Sequence, residues 1–275
     1  MTVPATTHDV VQHAGTVTKT FRLRHGDEAD REWSALTLLD RHAPGLAPAP
    51  LERAIRDGSP VVVMSQLPGE PLGAEPLTAA QTAGLATALN RLHTAVPDDV
   101  LAALPVRRSG GAEMIDELRA WAAEPAPPLA APVADALAAA TQWLHSAEAA
   151  SLTGPPADPV FTQADGNLAN FLWDGATCRV VDFEDSGLSD RTLEVADLLE
   201  HVSASLRGLV DQDALIAALD LTEAQRRRLG PARLMFASFW LLMLLPGNPG
   251  HARNPAGSLE HQAERVQEML RLRSP

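Results

Sequence analysis

The chain has 275 residues, 45% of them hydrophobic and 21% charged, with a formal net charge of −13. That length suits one or two domains with a sizeable core. The acid surplus argues against nucleic acid as a partner, which calls for a basic surface, and is compatible with attraction of a cationic small molecule or simply with solubility. In chain order, Asp9 to His13 and Thr16 to Arg22 read as β-runs joined at the turn signal Ala14-Gly15. Glu32 to Leu39 reads as a helix, with Trp33, Leu36 and Leu39 spaced by three, and Pro44, Pro48 and Pro50 end it. Val61 to Met64 form a buried strand, and Pro68-Gly69 mark a turn and a domain junction.

The remainder reads as mostly helical. Thr78 and Gln81 make a capping-box pattern for a helix reaching Thr94. Helices follow at Met114 to Ala123 and Val133 to Ala149, separated by a loop at Pro125, Pro127 and Pro128. Short strands at Asn170–Trp173 and Arg179–Val181 flank the turn Asp174-Gly175. Further helices are expected at Thr192–Ser205, Asp213–Leu219, Thr222–Arg228, Pro231–Leu245 and Leu259–Leu272.

Cys178 is the only cysteine, so no intramolecular disulfide forms; it reads as a packing residue in a reducing compartment. Met1 to His8 lack the basic-then-apolar layout of a signal peptide, and the apolar run Leu234–Leu245 is short of the roughly 20 residues of a membrane span. A cytoplasmic protein with no membrane partner is expected. Lys19 is the only lysine among 22 basic residues. In so arginine-rich a chain, a surviving lysine either points to chemistry that needs a compact ammonium rather than a wide guanidinium fork or has persisted by chance.

The densest chemistry lies between Gln163 and Asp185. Asp165 precedes Asn170 by five residues, and Val180-Val181 deliver Asp182 at a strand end. One carboxylate to orient a hydroxyl, with an amide and a second carboxylate to hold Mg²⁺ against phosphates, is what phosphoryl transfer asks of a protein. Two loop aspartates that cap turns would share this spacing. Asp190, Glu194, Asp197 and His201 fall on one helical face. They read either as an acidic wall for an amine-bearing substrate, or as Asp190 and Glu194 capping the helix and holding the catalytic loop with the others solvated. Other templates fail: no P-loop, no Gly-x-Gly-x-x-Gly, no Gly-x-Ser-x-Gly and no His-Glu-x-x-His occur. His93 and His145 read as packing or capping residues.

Taken together, Gln163-Ala164-Asp165 through Asn170, Asp182-Phe183-Glu184 and Gly187 through Glu194 resemble the catalytic core of the aminoglycoside phosphotransferase and choline kinase family. Residues 61–72 resemble its strand and inter-lobe hinge, and the likeness spans most of residues 15–205. It implies an α+β, two-lobed, protein-kinase-like fold: a small nucleotide-binding lobe (1–66), a hinge (67–73) and a helical lobe (74–275). It implies ATP and Mg²⁺ as cofactors and transfer of the γ-phosphoryl group to a small hydroxylated molecule, with aminoglycoside antibiotics, amino alcohols and sugars as candidate acceptors. By position, Asp165 would orient or deprotonate the hydroxyl, and Asn170 and Asp182 would coordinate Mg²⁺. Lys19, braced by Glu32, would contact phosphates, the backbone of Ser65 and Leu67 would meet adenine, and Glu184 would stand behind the metal or face it.

The sequence departs from the family pattern in two places. Gln163-Ala164 replace His-Gly, at a position that braces the loop, and no glycine-rich loop precedes Lys19; Gly15 is the only nearby candidate. These departures motivate a second reading, a nucleotide-binding or regulatory protein with little catalysis. The literal His25-Gly26-Asp27 lacks a following Asn and reads as the turn before the first helix.

Overall fold

The computed structural model describes residues 8–22, 25–156 and 158–273; Met1 to Thr7, where no signal peptide is expected, lie outside them. The N-terminal part is an antiparallel sheet packed on one helix. Strands β1 (Asp9–His13) and β2 (Thr16–Thr20) precede α1 (Glu28–His42), followed by β3 (Pro50–Arg56) and β4 (Ser59–Ser65). The sheet order is β1-β2-β4-β3. Lys19 pairs with Val10 on one side and Val62 on the other.

Helix α1 starts a turn earlier than expected. Glu28, Ala29, Glu32, Ala35, Leu36 and Leu39 bury one face of it, the spacing of an amphipathic helix. His25-Gly26-Asp27 form the turn before it, as expected: Glu28 accepts from the amides of His25 and Gly26. Strand β3 was not anticipated. Its residues are mostly exposed, it carries a register shift between Pro50 and Glu52, and it pairs with β4 alone. An edge strand of this kind has little apolar alternation to betray it.

After β5 (Glu70–Pro71) the chain is largely helical: α2 (Ala79–Thr94), α3 (Asp98–Leu101), α4 (Gly111–Ala122), α5 (Ala131–Leu144) and α6 (Ala147–Ala150). The capping box at Thr78 and Gln81 forms as expected. Strand β6 (Pro159–Thr162), a 3₁₀ turn (Leu168–Asn170), β7 (Phe171–Trp173), β8 (Cys178–Val180) and β9 (Gly187–Asp190) carry the motifs between Gln163 and Glu194. Then come α7 (Arg191–Glu200), α8 (Val202–Ser205), α9 (Gln212–Ala218), α10 (Glu223–Met243), α11 (Pro249–Arg253) and α12 (Ser258–Arg271).

Three helices are broken or joined differently from expectation. The expected Val133–Ala149 helix breaks at Ser146, whose hydroxyl caps α6 by accepting from the Ala149 amide. The expected Thr192–Ser205 helix breaks at His201, which has an extended ψ of 137° and caps α8 through its ring. The two helices expected on either side of Pro231 are one continuous α10. Proline removes one hydrogen bond there, and tertiary packing holds the helix through it: Leu229, Ala232, Leu234, Met235 and Phe236 are all buried. Among the described residues no helix is long and apolar enough to cross a membrane.

Candidate active site

The cleft is built around a buried ammonium. Side chains alternate along a strand, so Val17 and Lys19 share the face of β2 that lines it. Lys19 is 6% exposed. Its Nζ lies 3.0 Å from Glu32 Oε2, 2.5 Å from Asp182 Oδ1 and 2.7 Å from Glu184 Oε2. Burial works against the charge, but Asp182, Glu32 and Glu184 together hold the lysine pKa well above its ordinary value. Glu32 also accepts from the Phe183 amide at 3.0 Å. One carboxylate of α1 thus grips both β2 and the segment after β8.

His8 extends this network. The Arg22 amide donates to His8 Nδ1 at 3.0 Å, which leaves the ring proton on Nε2, 2.6 Å from Glu184 Oε2. Burial opposes the Glu184 charge, yet the His8 hydrogen bond and Lys19 hold its pKa down at about 2.

The loop that carries Asp165 is fastened from both ends. Gln163 Nε2 donates to the carbonyls of Val181 and Asp182 at 3.2 and 2.5 Å, and its Oε1 accepts from the Asp165 amide at 2.8 Å. The glutamine therefore braces the loop, as expected for its position. Glu194 Oε1 accepts from the Gln163 amide and Oε2 from the Ala164 amide, at 2.9 and 3.2 Å. Asp190 caps α7 by accepting from the Leu193 amide. Asp165 Oδ1 accepts from the Asn167 amide and Oδ2 from Asn170 Nδ2, at 3.1 and 2.8 Å. The Asp165 side chain is 37% exposed, toward the cavity; partial desolvation there, with Asp182 and Asp197 adding negative potential, pushes its pKa up to about 7. Ala164 and Asp182 both take left-handed backbone, with φ of 73° and 67°. Such residues persist where their surroundings over-determine them.

Two cavities meet at this centre. One, of about 310 Å³, is lined by Ser65, Gln66 and Leu67 at its far end. The other, of about 550 Å³, is lined by Asp165 and His201. Lys19, Asn170 and Asp182 line both.

Glu32, Asp182 and Glu184 bring ligand oxygens within 4.8 Å of one another, but Lys19 sits among them, so this trio cages an ammonium. Asp182 is its outward member, with a side chain 37% exposed against 1% and 10% for Glu32 and Glu184. Its carboxylate and the Asn170 side-chain oxygen are hard donors that fit Mg²⁺ completed by phosphate oxygens and water.

The sequence-expected residues Lys19, Glu32, Ser65, Leu67, Asn170 and Asp182 thus border one cavity, with Asp165 beside it in the other. Gly15 lies on the β1–β2 turn, where its carbonyl accepts from the Gln66 amide. The readings of the α7 face are corrected in two respects. The acidic face of α7 is no wall for an amine. Asp197 Oδ2 lies 2.6 Å from Arg107 and Glu194 Oε2 lies 3.4 Å from it, and Glu200 is gripped by Arg233 and Arg265. Asp190 and Glu194 do cap α7 and hold the loop, but Asp197 is not solvated, being 8% exposed, and Glu200 is fully buried. Arg107 and His8 were missed because nothing in their local sequence marks them. His201 was placed on a face but not in the site: its Nδ1 accepts from the Ser203 amide, and Nε2 stands 3.9 Å from Asp165 Oδ1. Burial lowers its pKa to about 3, so the ring is neutral.

The model of the phosphotransferase enzyme family matches residues 9–231. The chain belongs to that family. Among solved structures, this phosphotransferase is similar to a choline/ethanolamine kinase family protein from Mesorhizobium loti: 19% identity, TM-score 0.65, covering 98% of this chain and 87% of that one. It is also similar to choline kinase LicA from Streptococcus pneumoniae: 13% identity, TM-score 0.61, 97% and 90% covered. A third is spectinomycin phosphotransferase APH(9)-Ia in complex with ADP and spectinomycin: 13% identity, TM-score 0.59, 100% and 88% covered. These likenesses establish the two-lobed kinase-like α+β fold. No curated protein matches the sequence significantly.

Proposed function

We propose that this phosphotransferase uses Mg²⁺ and ATP to phosphorylate a hydroxyl of a small molecule. The observation that carries the reading is the junction of two cavities at Lys19, Asn170 and Asp182, with Asp165 just inside the second. In this reading residues 1–66 form the nucleotide lobe, 67–73 the hinge and 74–275 the helical lobe. The Ser65 amide is spent on the Ala49 carbonyl, so adenine would meet the Ser65 carbonyl and the Leu67 backbone. Lys19, held charged by its carboxylates, would bind phosphate oxygens, and Asn170 and Asp182 would hold Mg²⁺, which neutralises phosphate charge when bound. Asp165 would orient the acceptor and take its proton. The acceptor oxygen forms the new bond to the γ-phosphorus as the bond to the β,γ-bridging oxygen breaks, and ADP leaves. The single cysteine and the family's small-molecule chemistry support a cytoplasmic setting.

Asp165→Ala is expected to keep the fold and Mg·ATP binding while losing roughly 10²–10⁴ in rate, the worth of a positioned base. Calorimetry with Mg·ATP and turnover on the same preparation check this. A folded variant with unchanged turnover removes Asp165 from the mechanism; ATP binding without transfer in wild type favours a regulatory protein.

A further inference from the structure

The cavity of about 550 Å³ beside Asp165 is where the acceptor sits if the phosphotransferase reading holds, and this inference rests on that reading. Its walls say which charge the acceptor carries. The carboxylates lining it are Asp165 and Asp182. Asp182 is engaged by Lys19, and Asp165 accepts from Asn167 and Asn170, its remaining acceptor sites being those the acceptor's hydroxyl requires. The other carboxylates of this face, Glu194, Asp197 and Glu200, are buried and spent on arginines. An ammonium group is recognised by a spare carboxylate or by an aromatic face. Among the described residues, the rings on this wall are the imidazoles of His8 and His201, and the chain has no tyrosine at all.

The wall carries a guanidinium instead. Arg207 is exposed at the cavity, and its Nη2 donates to the Ala74 carbonyl at 3.3 Å. That occupies one of five donors, and no carboxylate pairs with it among the described residues. Arg207 follows a segment fastened to the catalytic loop. The Leu168 amide donates to Ser203 Oγ at 3.0 Å, and His201 stands against Asp165. An anionic group bound by Arg207 would therefore share one cavity with Asp165.

We propose that the acceptor is a small hydroxylated anion, whose carboxylate or phosphate ester binds Arg207 while its hydroxyl meets Asp165.

The full chain, supplied with Mg²⁺ and ATP, is assayed for ADP release with D-glycerate, glycerol 3-phosphate, glycerol, choline and streptomycin. Binding of each is read separately by calorimetry in Mg²⁺ and a non-hydrolysable ATP analogue. The expected result is a kcat/KM for glycerate or glycerol 3-phosphate at least about tenfold above the neutral and cationic acceptors, the worth of a charge-assisted hydrogen bond. Arg207→Glu should erase that preference, mainly through KM and with the matching loss in calorimetry; Arg207→Gln should fall between. Glycerate ahead of glycerol 3-phosphate assigns a carboxylate, and the reverse a phosphate ester. A preference for choline or streptomycin overturns the proposal and leaves the phosphotransferase reading standing. So does an unchanged preference in folded Arg207→Glu. Mg·ATP binding with no ADP release on any acceptor overturns both.

Discussion

Ala164 occupies a left-handed backbone position, with φ of 73°, where the family resemblance places a glycine. An L-residue there costs about 1–2 kcal/mol, and Glu194 and Arg107 hold it by accepting from its amide and donating to its carbonyl. Ala164→Gly should stabilise the protein by up to about 1 kcal/mol, read as a denaturation midpoint shift, with activity retained. A clear loss of stability would show that the buried methyl outweighs the strain. Asp165 gives a pH prediction. Its folded-state pKa is raised to about 7 by desolvation at the cavity wall and by Asp182 and Asp197, and only the carboxylate can take a proton. Activity should therefore be full above pH 7 and decline as pH falls through 7, approaching tenfold per unit below it. A profile flat from pH 5 to 8 would contradict the role. His201 and Cys178 do not titrate in that window, lying at about 3 and about 12 through burial.

Between elements, arginines do what the local sequence could not announce. Arg107 is 2% exposed and joins the segment before α4 to α7 and to the loop that carries Asp165, by way of Asp197, Glu194 and the Ala164 carbonyl. Removing one partner of a buried charge cluster costs about 3–5 kcal/mol because the rest stay buried and unpaired. Arg107→Met is expected to lose that much in chemical denaturation and to lower turnover with it; a change under about 1 kcal/mol would show that water reaches these carboxylates. Helix boundaries show a related limit. Thr78 and Gln81 stop the chain locally, so that start was readable. Ser146 and His201 break helices only because their side chains find specific amides, and Pro231 fails to break α10 because the packed helix carries the lost bond.

For the whole molecule, the motifs were legible because chemistry fixes their residue types. Asp165, Asn170, Asp182, Lys19 and Glu32 could be chosen from spacing, from the lone lysine and from family resemblance, and Lys19 does meet Glu32 at 3.0 Å, 13 residues away in sequence. Strand β3 was not legible, since an exposed edge strand bears no buried face. The sequence by itself determined the family, the two-part α+β plan and the loop that carries Asp165, because periodicity, turn residues and motif spacing are local properties. Tertiary structure alone decided the charge of the site. Whether Glu194, Asp197 and Glu200 face a substrate or an arginine depends on residues up to 90 positions away. Coulomb energy follows distance in space and burial, neither of which the order of residues records.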